Sequence, residues 1–100
     1  MKYDKLVRDK IPEYIIKKGG KPVFHIADEE TYWLKLKEKL VEEVNEFIKD
    51  ENMEELADVE EVLEAIRKHK MFEICKIREI QELKAAERGK FKERIILDES

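Results

Sequence analysis

Carboxylate side chains recur at a one-turn spacing in two neighbouring segments of the sequence. The first segment contains Glu43 and Glu46, and the second contains Glu55 and Asp58. Residues three positions apart in a helix are neighbours on one face, so each segment would present a pair of carboxylates. Oxygen ligands without His or Cys favour Mg²⁺, with Mn²⁺ as an alternative, over Zn²⁺.

The angular position of these acids on a helix separates them from ordinary solvated charge. With Glu43 placed at 0°, Leu36 and Phe47 fall at about 20° and 40°, so Glu43 lies within an apolar arc. Glu46 falls on the margin of that arc, at about 300°, and Glu42 lies further towards the polar side, at about 260°. Glu43 is therefore predicted to face a neighbouring helix.

The second acidic segment has the same pattern. With Glu55 at 0°, Ile66 and Val62 fall at about 20° and 340°, and Asp58 falls at about 300°. Glu55 is thus also predicted to lie in an apolar arc, facing the first segment. The remaining acids of this segment group on the polar side and are predicted to be solvated, without a role: Glu60, Glu61 and Glu64.

Four carboxylates on a shared apolar face require a counter-charge, because they repel one another and lose hydration. Lys35 and Lys39 lie on the same flank and could supply it, but a divalent cation is the more economical hypothesis. Mg²⁺ held by a few carboxylates completes its shell with water and substrate phosphates, which favours phosphate chemistry. Glu42 could orient a ligand or accept a proton from water.

The elements that position these acids are predicted to be helices, since few Gly or Pro residues interrupt the chain. Asp28 and Asn52 are predicted N-caps. The resulting fold class is all-α, an antiparallel helical bundle in a single domain over residues 1–100. The predicted helices are a short one from Pro12 to about Lys18, ended by Gly19, and three long ones at Glu29 to Lys49, Met53 to Lys68 and Phe72 to Arg88.

The last predicted helix carries apolar residues around most of its circumference, among them Phe72, Ile77 and Ile80. A helix that is apolar on several sides is usually enclosed on several sides. A chain of 100 residues forms only a thin core, so partner copies are predicted to enclose this helix in a homodimer or homotetramer. The alternative is a monomer with scattered exposed apolar side chains. Cys75, on the same helix, is expected to be a small buried residue.

Composition narrows the class of protein and its partners. The chain has 21 basic and 25 acidic residues, a net charge of -4, and therefore no overall basic field for a nucleic acid. The single cysteine favours a reducing cytoplasm. The first residues lack the apolar stretch of a secretory signal, and no run approaches the ~20 apolar residues of a membrane span. Neither a nucleic-acid nor a membrane partner is predicted.

The acidic pattern resembles a known signature. Glu42-Glu43-x-x-Glu46 followed by Glu55-x-x-Asp58 resembles the EExxE and ExxD motifs of the all-α nucleotide pyrophosphohydrolases, the MazG-like proteins and their phosphoribosyl-ATP pyrophosphohydrolase and dUTPase relatives. Only eight residues separate Glu46 from Glu55, fewer than in many MazG proteins, so the two helices should be tightly joined. Three blocks resemble the subgroup usually labelled phosphoribosyl-ATP pyrophosphohydrolase-like: YDKLVRDKIPE (Tyr3 to Glu13), ADEETYWLKLKEKLVEEVNEF (Ala27 to Phe47) and RGKFKERIIL (Arg88 to Leu97).

This resemblance implies an activity and a set of site residues. The activity is Mg²⁺-dependent hydrolysis of a nucleoside triphosphate, or a nucleotide-like substrate such as phosphoribosyl-ATP, between the α and β phosphates, at a subunit interface. The implied metal ligands are Glu43, Glu46, Glu55 and Asp58, and the implied catalytic residues are Glu42 and Glu43. Basic residues could bind phosphate oxygens or could be plain surface charge: Lys5, Arg8, Lys10 and Lys39.

A second hypothesis belongs to another class, a non-catalytic helical oligomerisation or binding module. In such a module the acids would form salt bridges with Lys35, Lys39 and lysines of a partner chain. Glu55 and Asp58 discriminate between the two hypotheses, because an interaction helix gains nothing from carboxylates in its apolar arc.

Overall fold

A computed structural model describes residues 4–100, and the regular structure in that range is entirely helical. The predicted all-α class is confirmed there, with each helix end within two residues of its predicted position. Tyr3, which opens the N-terminal block, lies outside the described residues. No helix in the described part of the chain is both long and apolar enough to cross a membrane. The helices are α1 (Ile11–Lys17), α2 (Glu29–Asp50), α3 (Met53–Lys70) and α4 (Ile74–Arg88).

Helix α2 begins at a side-chain cap, as predicted. Asp28 has an extended backbone, and its carboxylate accepts a hydrogen bond of 2.8 Å from the backbone N–H of Thr31. This bond satisfies one of the free N–H groups of the first turn, and it lowers the pKa of Asp28. Glu29 and Glu30 occupy the first turn, where the helix dipole favours negative charge.

A connection of two residues joins α2 to α3. Glu51 ends α2 in the left-handed conformation, with φ of 49°, and donates its backbone N–H to the carbonyl oxygen of Phe47 at 2.7 Å. Asn52 then caps α3, since its Oδ1 accepts a bond of 2.8 Å from the backbone N–H of Glu55. The tight junction and the Asn52 cap were both predicted. The junction sets the end of α2 directly beside the first turn of α3.

Helices α2 and α3 pack against each other as an antiparallel pair. Leu36 and Val62, which are 1% and 8% exposed, are the buried apolar residues of the described chain. At the far end of the pair, the Trp33 indole near the start of α2 stacks on the His69 ring near the end of α3, with centroids 5.4 Å apart. This contact between opposite ends of the two helices fixes their antiparallel orientation.

Helix α3 continues to Lys70 and delays the start of α4. Met71 has a φ of 58°, and the backbone N–H of Phe72 donates to the carbonyl oxygen of Arg67 at 2.9 Å. This arrangement closes the last turn of α3. Phe72 therefore ends one helix rather than beginning the next, and α4 starts two residues later than predicted.

Helix α4 and the residues after it, 89–100, leave most of their large apolar side chains exposed. Among residues 4–100, only α2 and α3 pack extensively, and Ile80 and Leu83 on α4 are 54% and 70% exposed. Cys75 is exposed as well, so the expectation of a buried cysteine is wrong for the single chain. The radius of gyration of 18.0 Å exceeds the value of about 13 Å expected for a compact chain of this length.

Candidate metal and phosphate site

Carboxylates from α2 and α3 meet on the face that the two helices share. Glu43, Glu55 and Asp58 each offer one oxygen, and these three oxygens lie within 4.8 Å of one another. All three residues are half-buried, and the side chain of Glu43 is only 13% exposed. The structure thus brings together three of the four predicted ligands, which we call the inner acidic group.

The fourth predicted ligand belongs to a neighbouring group. Glu46 and Asp50 lie with Glu55 in a second set of carboxylates whose oxygens are within 4.8 Å of one another. This outer acidic group is more exposed, and it shares Glu55 with the inner group. The predicted quartet is therefore divided between two sets of three that share Glu55, and Asp50 is the additional member of the second set.

Asp50 was missed by the sequence analysis. It follows Glu43 by seven residues and falls at about 340° on the same helical wheel, inside the apolar arc. The signal was present, but α2 was predicted to end at Lys49, which placed Asp50 in the connection. Because the helix includes Asp50, its carboxylate is directed to the same face.

Two lysines surround Glu42 on the flank of the inner group. The Nζ atom of Lys39 lies 3.4 Å from Oε1 of Glu42 and 3.5 Å from Oε1 of Glu43. The Nζ atom of Lys5 lies 3.7 Å from Oε1 of Glu42. Lys39 therefore neutralises part of the inner group, as the lysine alternative predicted, whereas Lys35 pairs with Asp4 and Glu38 instead. Glu42 stands outside both acidic groups.

Arg8 lies in the N-terminal segment, residues 4–10, and its side chain reaches the inner group. Its Nη2 donates a hydrogen bond of 2.8 Å to Oδ1 of Asp58, and its Nη1 lies 3.8 Å from Oε1 of Glu61. Glu61 is exposed, as predicted, but it has a partner that the sequence did not reveal. Lys10 precedes α1, is exposed, and forms no ion pair with any residue from 4 to 100.

Glu55 is the least compensated carboxylate of the site. No Lys, Arg or His within the described range forms an ion pair with Glu55, Glu46 or Asp50. Loss of hydration raises the pKa of Glu55, and the charges of neighbouring acids raise it further: Asp50, Glu46, Asp58 and Glu43. The negative potential of both groups therefore converges on Glu55.

The raised pKa of Glu55 predicts a pH-dependent stability. The folded chain holds a proton on Glu55 more tightly than the unfolded chain does. The stabilisation that this proton gives is therefore fully present below the unfolded pKa, and it is lost as the pH rises through the folded pKa. In EDTA, the melting temperature of Glu55→Gln relative to that of the original protein should rise as the pH increases above 4.5, the ordinary pKa of a glutamate. Thermal melts followed by circular dichroism measure this difference in melting temperature at each pH. Glu60→Gln is the matched control on the polar face, and a difference for Glu55→Gln that is constant with pH would contradict the prediction.

The donor set suits a hard divalent cation. Both groups offer carboxylate oxygens alone, the ligand type that Mg²⁺ takes at about 2.0–2.1 Å. Each group holds three carboxylate oxygens within 4.8 Å of one another, so side-chain rotations could bring them around a single ion. The residues present thus fit the ion that the resemblance implies.

Comparisons of the chain with protein-family models, with curated proteins and with solved structures gave no match in any of the three. The resemblance to the MazG-like proteins therefore remains a prediction from the motifs quoted above.

Proposed function

We propose that the protein is a Mg²⁺-dependent nucleotide pyrophosphohydrolase. It would cleave a nucleoside triphosphate, or a nucleotide-like substrate such as phosphoribosyl-ATP, into a monophosphate and pyrophosphate. The observation that carries this proposal is the position of Glu55, which belongs to both acidic groups and has no cationic partner among residues 4–100. A divalent cation would supply the missing positive charge.

The acidic residues would hold the ion, and the inner group is the stronger candidate because it is half-buried. Glu43, Glu55 and Asp58 would be its ligands, and Glu46 and Asp50 would extend the site outwards. When bound, the ion would neutralise phosphate oxygens and so favour attack at phosphorus. Mn²⁺ has the same preference for oxygen ligands and would serve as a substitute.

Lysines next to the inner group would bind the phosphates of the substrate. Lys5, Lys35 and Lys39 line one surface depression between the N-terminal segment and α2, together with Glu42. Lys39 connects this depression to the metal ligands, because its Nζ also lies 3.5 Å from Oε1 of Glu43. Phosphate groups held there would lie beside the acidic residues.

The proposed reaction needs one water and one proton acceptor. The water oxygen attacks the α-phosphorus, the bond from that phosphorus to the bridging oxygen breaks, and pyrophosphate leaves. Glu42 is the proposed acceptor of the water proton, since it borders the depression and stands outside both acidic groups. Its neighbours Lys5 and Lys39 would hold its carboxylate in place.

The active form is proposed to be a homodimer or homotetramer in the cytoplasm. The support is the exposed apolar surface of α4 and the small core of the single chain, where Leu36 and Val62 are the buried apolar residues described. Partner copies would complete the helical bundle by covering α4.

The binding-module hypothesis explains part of the site. The pair Lys39–Glu43 is a salt bridge that it predicts, whereas the pair Arg8–Asp58 was not predicted. For Glu46, Asp50 and Glu55, which have no cationic partner among residues 4–100, it relies on lysines of a partner chain. The enzyme proposal accounts for both observations.

Pyrophosphate release tests the proposed function. Purified protein is incubated with the common and damaged nucleoside triphosphates and with phosphoribosyl-ATP, and the products are separated by anion-exchange chromatography. With Mg²⁺, at least one substrate should give equal amounts of monophosphate and pyrophosphate, and EDTA should abolish the reaction. A nucleoside diphosphate with inorganic phosphate as products, or no turnover of any substrate, would overturn the proposal.

A further inference from the structure

The N-terminal segment, residues 4–10, is held against the acidic face by polar contacts at three points. Lys35 on α2 donates from Nζ to the carbonyl oxygen of Asp4 at 3.0 Å. Lys5 in the segment approaches Glu42, and Arg8 donates to Asp58. Of these contacts, the one made by Arg8 involves a member of the inner acidic group.

The Lys39 contact and the Arg8 contact to the inner group differ in how easily another cation can replace them. Lys39 lies on α2 itself, three and four residues before its partners Glu42 and Glu43, so the helix keeps it close to them. Arg8 lies fifty residues from Asp58 in the sequence, outside any helix, and its side chain is 60% exposed. Exposed ion pairs of this kind are weak and readily replaced.

We propose that Arg8 is an exchangeable counter-cation, which neutralises Asp58 until a divalent cation displaces it. The inference rests on the proposed function, because it takes the inner group as the metal site. The Asp58 carboxylate that bonds Arg8 is the one that would coordinate the ion, and two cations on one carboxylate repel each other. Once displaced, the guanidinium is free to bind a phosphate oxygen as a fork of two donors.

Competition between Arg8 and the ion is measured with Mn²⁺, whose free form gives an electron paramagnetic resonance signal that is lost on binding. Arg8→Gln should bind Mn²⁺ about 2- to 5-fold more tightly than the original protein, since an exposed pair opposes binding only modestly. Lys5→Gln is the matched control, because it removes one positive charge from the same segment, where the contact is to Glu42 outside the inner group.

The outcomes separate direct competition from other roles of Arg8. Equal or weaker Mn²⁺ binding by Arg8→Gln overturns the inference, because a purely structural tether would not oppose the ion. Equal tightening by Lys5→Gln also overturns it, because the general field of the segment would then be responsible. If the original protein and both variants all fail to bind Mn²⁺, the proposed function fails and the inference falls with it.

Displacement of the side chain itself has an independent spectroscopic readout. The Nε–Hε resonance of Arg8 is assigned by its disappearance in Arg8→Gln, and the original protein is titrated with Mg²⁺, which is diamagnetic. The resonance should shift with the same midpoint as the backbone amide of Asp58. An Arg8 resonance that stays unchanged while the Asp58 amide shifts would show that the pair survives metal binding and would contradict the inference.

Discussion

Replacing Glu55 by Gln is expected to lower Mg²⁺-dependent pyrophosphate release by about 100-fold or more, while the protein stays folded. Glu55 is shared by both acidic groups, so its loss removes a ligand from each. The amide keeps the size of the side chain and removes one charge from a crowded set of acids. The backbone N–H that Asn52 caps is unaffected by the change.

Initial rates of pyrophosphate release at saturating Mg²⁺ measure this effect, with melting temperature as the check on folding. Glu60→Gln is the matched control, because it makes the same change on the exposed polar face of α3, where it should leave the rate unchanged. Near-normal turnover by Glu55→Gln would show that the acidic groups do not hold a catalytic ion.

Placing a charge on the apolar face of α4 is expected to dissociate the proposed oligomer. Ile80 borders an open surface groove with Phe72 and Ile77, and it is 54% exposed in the single chain. If a partner copy covers this face, Ile80→Glu buries an unpaired carboxylate in the contact. The dissociation constant should then rise by about 100-fold or more.

Light scattering coupled to size-exclusion chromatography measures the change in assembly. The original protein should elute at two or four times the chain mass of 12.0 kDa, and Ile80→Glu should elute at a single chain mass. Gln81→Glu is the control, because it adds the same charge at the adjacent polar position. A monomeric original protein, or an Ile80→Glu variant that keeps the full assembly, would contradict the proposed interface.

Local chemistry made the helices predictable from the sequence. The side chains of Asp28 and Asn52 cap α2 and α3 as their residue types predict. The end of α3 was less predictable, because Met71 adopts a left-handed conformation that the sequence signals only in Gly or Asn. Where no capping residue such as Gly or Asn marks the end of a helix, the sequence places that end only to within one or two residues.

The acidic face was predictable because helical geometry fixes which residues share a side. Glu43, Glu55 and Asp58 meet as their angular positions predict. The pairing of Arg8 with Asp58 was not predictable, since it depends on the path of an irregular segment across fifty residues. Asp50 was missed because one residue at a helix end decides the direction of its side chain.

A crystal of the protein soaked in Mn²⁺, with data collected at a wavelength where manganese scatters anomalously, shows directly whether the acidic groups hold a divalent cation. An anomalous peak is expected between the carboxylates of Glu43, Glu55 and Asp58, within coordination distance of their oxygens. A structure in which no peak lies between these carboxylates, and in which they pair only with Arg8 and Lys39, would contradict the proposed metal site.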